Sequence, residues 1–256
     1  RTAWFRGPDL DSAVAAELVA VASRISNAFR RLGSGWSIFV EAQRHEAAAY
    51  PESQFPNAAS ALLDAERKAD FDEEGAHFVS SYFLTFLFLP PPEDARRAEG
   101  WLYEGRDQSG ADPGEIVRAF VDRTERVLAL LDGFMPECHW LDDSDTLTYL
   151  HSTVSTKRQQ VRVPETPIYL DALLADEPLA GGLEPRIGDK HLRVLTIVGF
   201  PSVTTPGLLD DLNKLAFPYR WSTRAILLDK VDAVRLLTRI RRQWFAKRKS
   251  IAAILK

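Results

Sequence analysis

The sequence predicts an α+β protein of two βαβ-type subdomains with mixed sheets and helices packed on them, the second subdomain truncated. Three observations lead there. Short runs rich in β-branched and aromatic residues alternate with longer segments whose apolar residues recur at three- and four-residue steps, the patterns of strands and amphipathic helices. Over residues 1–150 the order reads β-α-β-α-β-α-β-α, as in split βαβ units that pack helices on one side of a sheet. A chain of 256 residues with 45% apolar, 27% charged and 10% aromatic composition can bury one large core or two smaller ones, which excludes disorder.

The first strand is 2–6, ended by Gly7 and Pro8; Asp11 or Ser12 then caps a helix to about residue 32, with Val14, Leu18, Val21, Ile25 and Phe29 facing inward. Gly33, Ser34 and Gly35 close it. The second strand is 36–42, and a helix over 57–71 follows a loop that holds Pro51 and Pro56. Residues 77–89 form the most apolar strand, nearly continuous in hydrophobicity at its end, which fits burial on both faces. Pro90 to Pro92 end it. A short helical piece over 93–102, a loop, a helix over 114–131 with Ile116, Phe120, Val127 and Leu131 inward, and a strand over 135–141 come next. Ser144 caps a helix to about residue 155.

Residues 1–156 thus make the first subdomain, and 157–190 a connector punctuated by Pro164, Pro167, Pro178, Pro185, Gly181, Gly182 and Gly188. An extended arm at 161–170 and a one-turn helix at 170–175 are expected within it. The second subdomain, 191–256, starts with a strand at 192–200, a helix at about 206–216 and a strand at 219–228. From Asp229, as N-cap, a long helix runs to the end. That helix lacks a terminal glycine cap, and the first residue is Arg rather than Met, so the polypeptide is expected to continue at both ends.

The final helix carries the sharpest functional signal. Val234, Leu237, Ile240, Trp244, Ile251 and Leu255 make one apolar stripe, while Arg235, Arg239, Arg242 and Lys249 populate another face. Two readings stand: a core helix with a basic solvated side, or a surface for nucleic acid, acidic lipid or an acidic partner. Charge is split along the chain as well. Residues 1–150 hold 14 Lys and Arg against 26 Asp and Glu, net −12, whereas 151–256 hold 18 against 10, net +8. A single cysteine, Cys138, excludes an intrachain disulfide framework. The longest nearly unbroken apolar run, 83–89, is far short of the ~20 residues of a spanning helix, so membrane association is expected to be peripheral or through a partner.

The motifs that would carry chemistry fail on spacing. GGLEPRIGDKH at 181–191 has a proline and misplaced glycines where a phosphate loop needs Gly-rich backbone followed by Lys and a hydroxyl. Gly33 and Gly35 sit at a helix C-terminus, the wrong end for an anion. His45 and Glu46 lack the second histidine at Ala49 that a zinc-protease helix requires, and read as a solvated loop. Cys138 and His139 are neighbours on a strand and point to opposite faces. Asp142, Asp143 and Asp145 lose the calcium-loop pattern at Leu147 and read as helix-capping acids. Glu41 and Glu46 have no spacing that favours a carboxylate pair, and no G-x-S-x-G occurs. Catalytic, cofactor and metal residues are therefore assigned to none.

Several long segments together resemble the CagE/TrbE/VirB family of type IV secretion components, which includes conjugal-transfer ATPases. They are FRGPDLDSA at 5–13, RRLGSGW at 30–36, GWLYEG at 100–105, WLDDSDTLTYLHSTVST at 140–156, HLRVLTIVGFPS at 191–202, PGLLDDLNKLAFPYRWSTR at 206–224 and RRQWFAKRK at 241–249. The resemblance implies the region in front of a RecA-like ATPase domain that is itself absent here. It implies ATP and magnesium for the parent protein and no cofactor for this chain. It further implies a hexamer at the cytoplasmic face of the bacterial inner membrane that energises pilus assembly and DNA transfer. The partners it implies are inner-membrane channel components and neighbouring copies of the same ATPase.

On this reading the chain is a docking and assembly region without hydrolytic activity, and Arg239, Arg242, Trp244, Lys247 and Lys249 contribute to the contact. The alternative is a nucleic-acid-binding module that uses the basic half, whose affinity falls steeply with salt; a self-contained hydrolase would need a nucleotide or metal site that the sequence lacks.

Overall fold

The computed structural model describes residues 1–10, 12–47, 49–73, 77–90, 113–197, 199, 202–203 and 209–254. Its elements run β1 (Thr2–Arg6), α1 (Ala15–Phe29), β2 (Trp36–Glu46), α2 (Ala58–Glu73), β3 (Phe78–Phe88), α3 (Pro113–Asp132), β4 (Glu137–Trp140), α4 (Asp143–Val154) and α5 (Leu170–Leu174). Then follow β5 (Leu179–Ala180), β6 (Arg186–Ile187), β7 (Lys190–His191), a 3₁₀ turn (Asp210–Lys214), β8 (Tyr219–Ile226) and α6 (Lys230–Ile254). The helical piece expected at 93–102 lies outside the described residues.

Five strands form one sheet in the order β4-β1-β3-β2-β8, and β5, β6 and β7 form a small antiparallel sheet. Helices and sheets together make the expected α+β fold. Because β3 lies between β1 and β2, the unit β1-α1-β2 is split, as the element order predicts. β3 is central, but the burial on both faces expected of it is not seen: Leu84 and Phe86 are buried on one face, while Val79 and Leu87 on the other are about half exposed. Leu89 N–H donates to Gly35 O at one end and Ala47 N–H to His77 O at the other, so β2 and β3 run antiparallel. Leu227 N–H donates to Trp36 O, and Arg44 Nε–H to Leu215 O, which sets β8 antiparallel to β2. The second strand runs to Glu46 rather than Ala42, so His45 and Glu46 belong to a strand and not to a solvated loop.

The chain divides into two compact units. One comprises Arg1–Trp4, Ala42–Tyr82 and His139–Trp221; the other comprises Phe5–Glu41, Phe83–Cys138 and Ser222–Lys256. In the second, Trp36 is the largest fully buried side chain. It stacks on Phe120 of α3 with centroids 5.5 Å apart and meets Phe88 of β3 at 4.9 Å. Leu84, Phe86, Val127, Leu128 and Leu131 are buried in the same unit, and Phe29 of α1 reaches Phe86 at 6.4 Å. The α1 stripe Leu18, Val21, Ile25 and Phe29 is half-buried as expected, but Val14 is exposed because the helix starts only at Ala15. Its first turn is held by Glu17, whose carboxylate accepts the Val14 N–H at 3.0 Å, so Ser12 does not cap it; Asp11 lies outside the described residues.

In the first unit, α4 is capped by Asp142, whose Oδ1 accepts the Asp145 N–H at 2.7 Å. Ser144, expected as the cap, instead donates to Val161 O at 2.7 Å, while Val161 N–H donates to Thr148 Oγ1 at 2.9 Å. The arm after residue 156 is thereby fastened along α4, with Val161 buried. Beyond α5, the Gly188–Asp189 turn joins β6 to β7; Gly188 has φ +58° and a Cβ there would come within 2.7 Å of Glu177 Oε1.

The strand expected at 192–200 is not formed over its described residues 192–197 and 199. Val194 and Leu195 lie exposed there, and alternation without a neighbouring edge to pair with does not make a strand. In place of the helix expected at 206–216, the described portion is the 3₁₀ turn Asp210–Lys214.

Candidate functional site

Helix α6 runs for 25 residues from a built anchorage. Asp229 O accepts the Ala233 N–H at 2.8 Å, and the Asp229 carboxylate turns back to accept the Ser34 N–H at 3.3 Å. The Asp229 N–H donates to Ser34 Oγ at 3.0 Å, and Ser34 Oγ donates to Asp232 Oδ2 at 2.5 Å. A Cβ at Gly33 would press on the Asp229 carboxylate and force that side chain to shift. The loop that closes α1 therefore holds Asp229, just before α6, and Asp232 of its first turn, and the expected N-cap turns its side chain to the loop.

Past that anchorage the apolar stripe is open. Val231, Val234, Leu237, Ile240 and Trp244 are each half or more exposed, with Leu237 at 64% and Trp244 at 57%. A core helix would bury these side chains, so the reading of α6 as a core helix does not hold over 230–246. Arg239 and Arg242 are exposed and line, with Val234, Arg235, Thr238 and Gln243, a groove of about 510 Å³ along the helix. Trp244 stands edge-on to Phe245 at 5.4 Å, and the Arg241 guanidinium lies 5.6 Å over the Phe245 ring. The side chains of Lys247 and Lys249 lie outside the described residues. Arg241 joins the surface although the sequence reading did not assign it there; its position three residues before Trp244 and four before Phe245 was the available signal.

None of the rejected chemical motifs assembles a site among the described residues, where no group of three or more His, Cys, Asp and Glu is placed to hold a metal ion. On β4, Cys138 is buried and His139 exposed, on opposite faces as expected. Burial, with Asp132 nearby, pushes the Cys138 thiol up to about 11, so it is not a nucleophile at neutral pH. On β2, Glu41 is buried and Glu46, five residues on, is exposed on the opposite face.

The polar cluster the sequence reading missed follows α4. Glu177 accepts from Thr156 N–H at 2.6 Å, from Thr156 Oγ1 and from Ser155 Oγ, which holds its carboxyl below the usual range. Asp176 pairs with Lys157 at 3.1 Å, and its Oδ1 lies 3.3 Å from Nε2 of the buried His151. That approach is close but misaligned for a hydrogen bond, so both His151 ring nitrogens remain without one. A hydrogen bond from Ser155 and the nearby Lys157 ammonium hold Asp176 down to about 2. The S-T-K run and the Asp-Glu pair lie about twenty residues apart, beyond the reach of a spacing rule. This arrangement staples the segment after α5 to the end of α4; nothing in it presents a reactive group.

The comparisons agree with the resemblance. Residues 1–97 match the family described as type IV secretion system ATPase VirB4/TrbE, N-terminal domain. A conjugal transfer protein TrbE from Rhizobium radiobacter is 34% identical over 261 residues, covering 95% of this chain. Sinorhizobium fredii supplies two further relatives, which are separate pieces of a probable conjugal transfer protein TrbE. The first piece is 40% identical over 34% of this chain and 60% of its own length, and the second is 34% identical over 40% of this chain and 15% of its own length.

The class these matches define is the N-terminal region of type IV secretion ATPases. Within it, the chain is a relative of the TrbE conjugal transfer proteins. It spans 32% of the length of the Rhizobium radiobacter protein. No helix among the described residues is long and apolar enough to cross a membrane.

Proposed function

We propose that the chain is the docking and assembly region of a conjugal-transfer ATPase, with α6 as its principal contact surface. The observation that carries this reading is an apolar stripe, exposed over three turns and flanked by arginines, on a chain related to TrbE. A stripe of Val, Leu, Ile and Trp left in water is a face that gains free energy when a partner covers it. The arginines beside it select an acidic rim. The partners are inner-membrane channel components of the secretion system and neighbouring copies in a hexamer at the cytoplasmic face of the membrane. ATP and magnesium belong to a motor domain elsewhere in the parent protein, which powers pilus assembly and DNA transfer.

Replacing Arg239, Arg242, Lys247 and Lys249 with Glu in the full-length protein is expected to release it from detergent-extracted membrane complexes while its soluble ATPase rate is kept. Unchanged association removes α6 from the interface. Comparing ATP binding by these 256 residues with that of the longer protein tests the other half of the proposal. Magnesium-dependent capture by the shorter chain defeats it.

A further inference from the structure

A second basic feature lies at the other end of the α6 anchorage. A cavity of about 440 Å³ is lined by Arg31, Leu32, Gly33 and Ser34 after α1, by Arg123, Arg126 and Val127 of α3, and by Asp229. All belong to one compact unit. Its size falls in the range of small-molecule sites. Three exposed arginines line it, against one lining carboxylate, Asp229, and a second, Asp122, that pairs with Arg126. Asp229 is turned to the Ser34 N–H at 3.3 Å, and Asp122 pairs with Arg126 at 2.5 Å. Arg31 and Arg123 have no ion-pair or hydrogen-bond partner among the described residues. The negative end of α1 accounts for one cation just past its terminus. It does not account for two more brought in from α3, where Arg123 and Arg126 are three residues apart and so share a face.

We propose that this cleft binds a phosphate dianion, free or carried on a small molecule without an aromatic base. The charge count calls for an anion. With Arg126 shared with Asp122 and Asp229 opposed to one of the others, the cleft keeps an excess of one to two positive charges, and at the upper end of that range a phosphomonoester of about −1.5 to −2 gains more than a carboxylate. Guanidinium forks from two directions suit the tetrahedral oxygens. The apolar lining is Leu32 and Val127, both buried, and no aromatic ring among the described residues lines the cavity, so a nucleobase finds no ring to stack on. The site is independent of the docking role of α6 and of nucleotide hydrolysis.

Calorimetric titration of the purified protein with inorganic phosphate tests it, against the double variants R31Q/R123Q and R162Q/R193Q. The second pair removes the same charge from exposed arginines of the other unit. Phosphate binding is expected to weaken at least about tenfold in R31Q/R123Q and to stay within about twofold in R162Q/R193Q. The Arg31 and Arg123 Nε–H resonances of the unsubstituted protein are expected to shift with phosphate, which keeps the test alive if the first variant fails to fold. Absence of both heat and shift overturns the proposal, and so does equal weakening in the two variants. Acetate binding as tight as phosphate overturns the dianion assignment, and adenosine monophosphate binding tenfold tighter or more overturns the exclusion of a base. Inorganic phosphate and glycerol phosphate of similar affinity support it and show that the phosphate group alone is recognised.

Discussion

Helices α3 and α6 carry apolar residues at similar three- and four-residue steps, yet α3 buries Val127, Leu128 and Leu131 whereas α6 leaves Val234, Leu237 and Ile240 in water. Both are long, and both carry arginines on the flank. The difference lies in what the chain supplies opposite them. Phe29, Trp36 and Phe86 come from α1, β2 and β3 to the unit that holds α3, so its stripe has cover within the same polypeptide. The α6 stripe has none among the described residues past its first turn. A periodic stripe therefore reports that a face needs cover and is silent on whether the cover is internal.

Substitutions sharpen that contrast, and the largest effect is expected at the centre of the buried half. Trp36→Ala removes a ring that touches both Phe88 and Phe120 and should cost about 3–5 kcal/mol in denaturant unfolding. A loss under about 1 kcal/mol would mean that the packing around α3 is not what holds this unit. Gly35→Ala comes next, since φ is +88° there and a Cβ would lie 2.6 Å from Leu89 O; a loss of about 1–3 kcal/mol is expected in the same measurement.

Asp176 contributes through pH. Its folded-state pKa is depressed to about 2, so the stability it adds is present above the ordinary carboxylate value and is lost as pH falls through that window toward 2. Asp176→Asn should flatten the acid limb of a thermal-midpoint profile between about pH 4 and pH 2 and leave the neutral region less affected; an acid limb identical to that of the parent would remove Asp176 from the staple. Smallest of all, Leu237→Ala should stay within about 0.5 kcal/mol, because its side chain is already 64% exposed. A cost comparable to that of a buried leucine would show that α6 is covered after all.

Much of the fold was legible because local chemistry and tertiary demand agree. The nearly continuous apolar run of β3 announced the central strand, the Gly33–Gly35 turn announced the end of α1, and the stripes of α1 and α3 pack inward over most of their length. Where the readings failed, a partner distant in sequence decided. The 192–197 segment alternates like a strand but stays unpaired, while β2 extends to Glu46 because β3 and β8 both pair with it. Ser144 has the chemistry of a cap but serves Val161 instead, leaving Asp142 to cap α4. The apolar stripe of α6 was legible, although its exposure was not. The arginine cleft was invisible, since Arg31 and Arg123 are brought together only by the packing of α1 with α3.

The double seat of Asp229 and Asp232 on Ser34 has a mechanical consequence. A helix of 25 residues is a rod of about 37 Å, stiff along its length and held at one end by a short loop where a side chain at Gly33 would press on the Asp229 carboxylate. Force applied to its far end acts with the leverage of that whole length on Ser34, at the entrance to β2. Whatever grips the tip of α6 thus has purchase on the strand that carries Trp36.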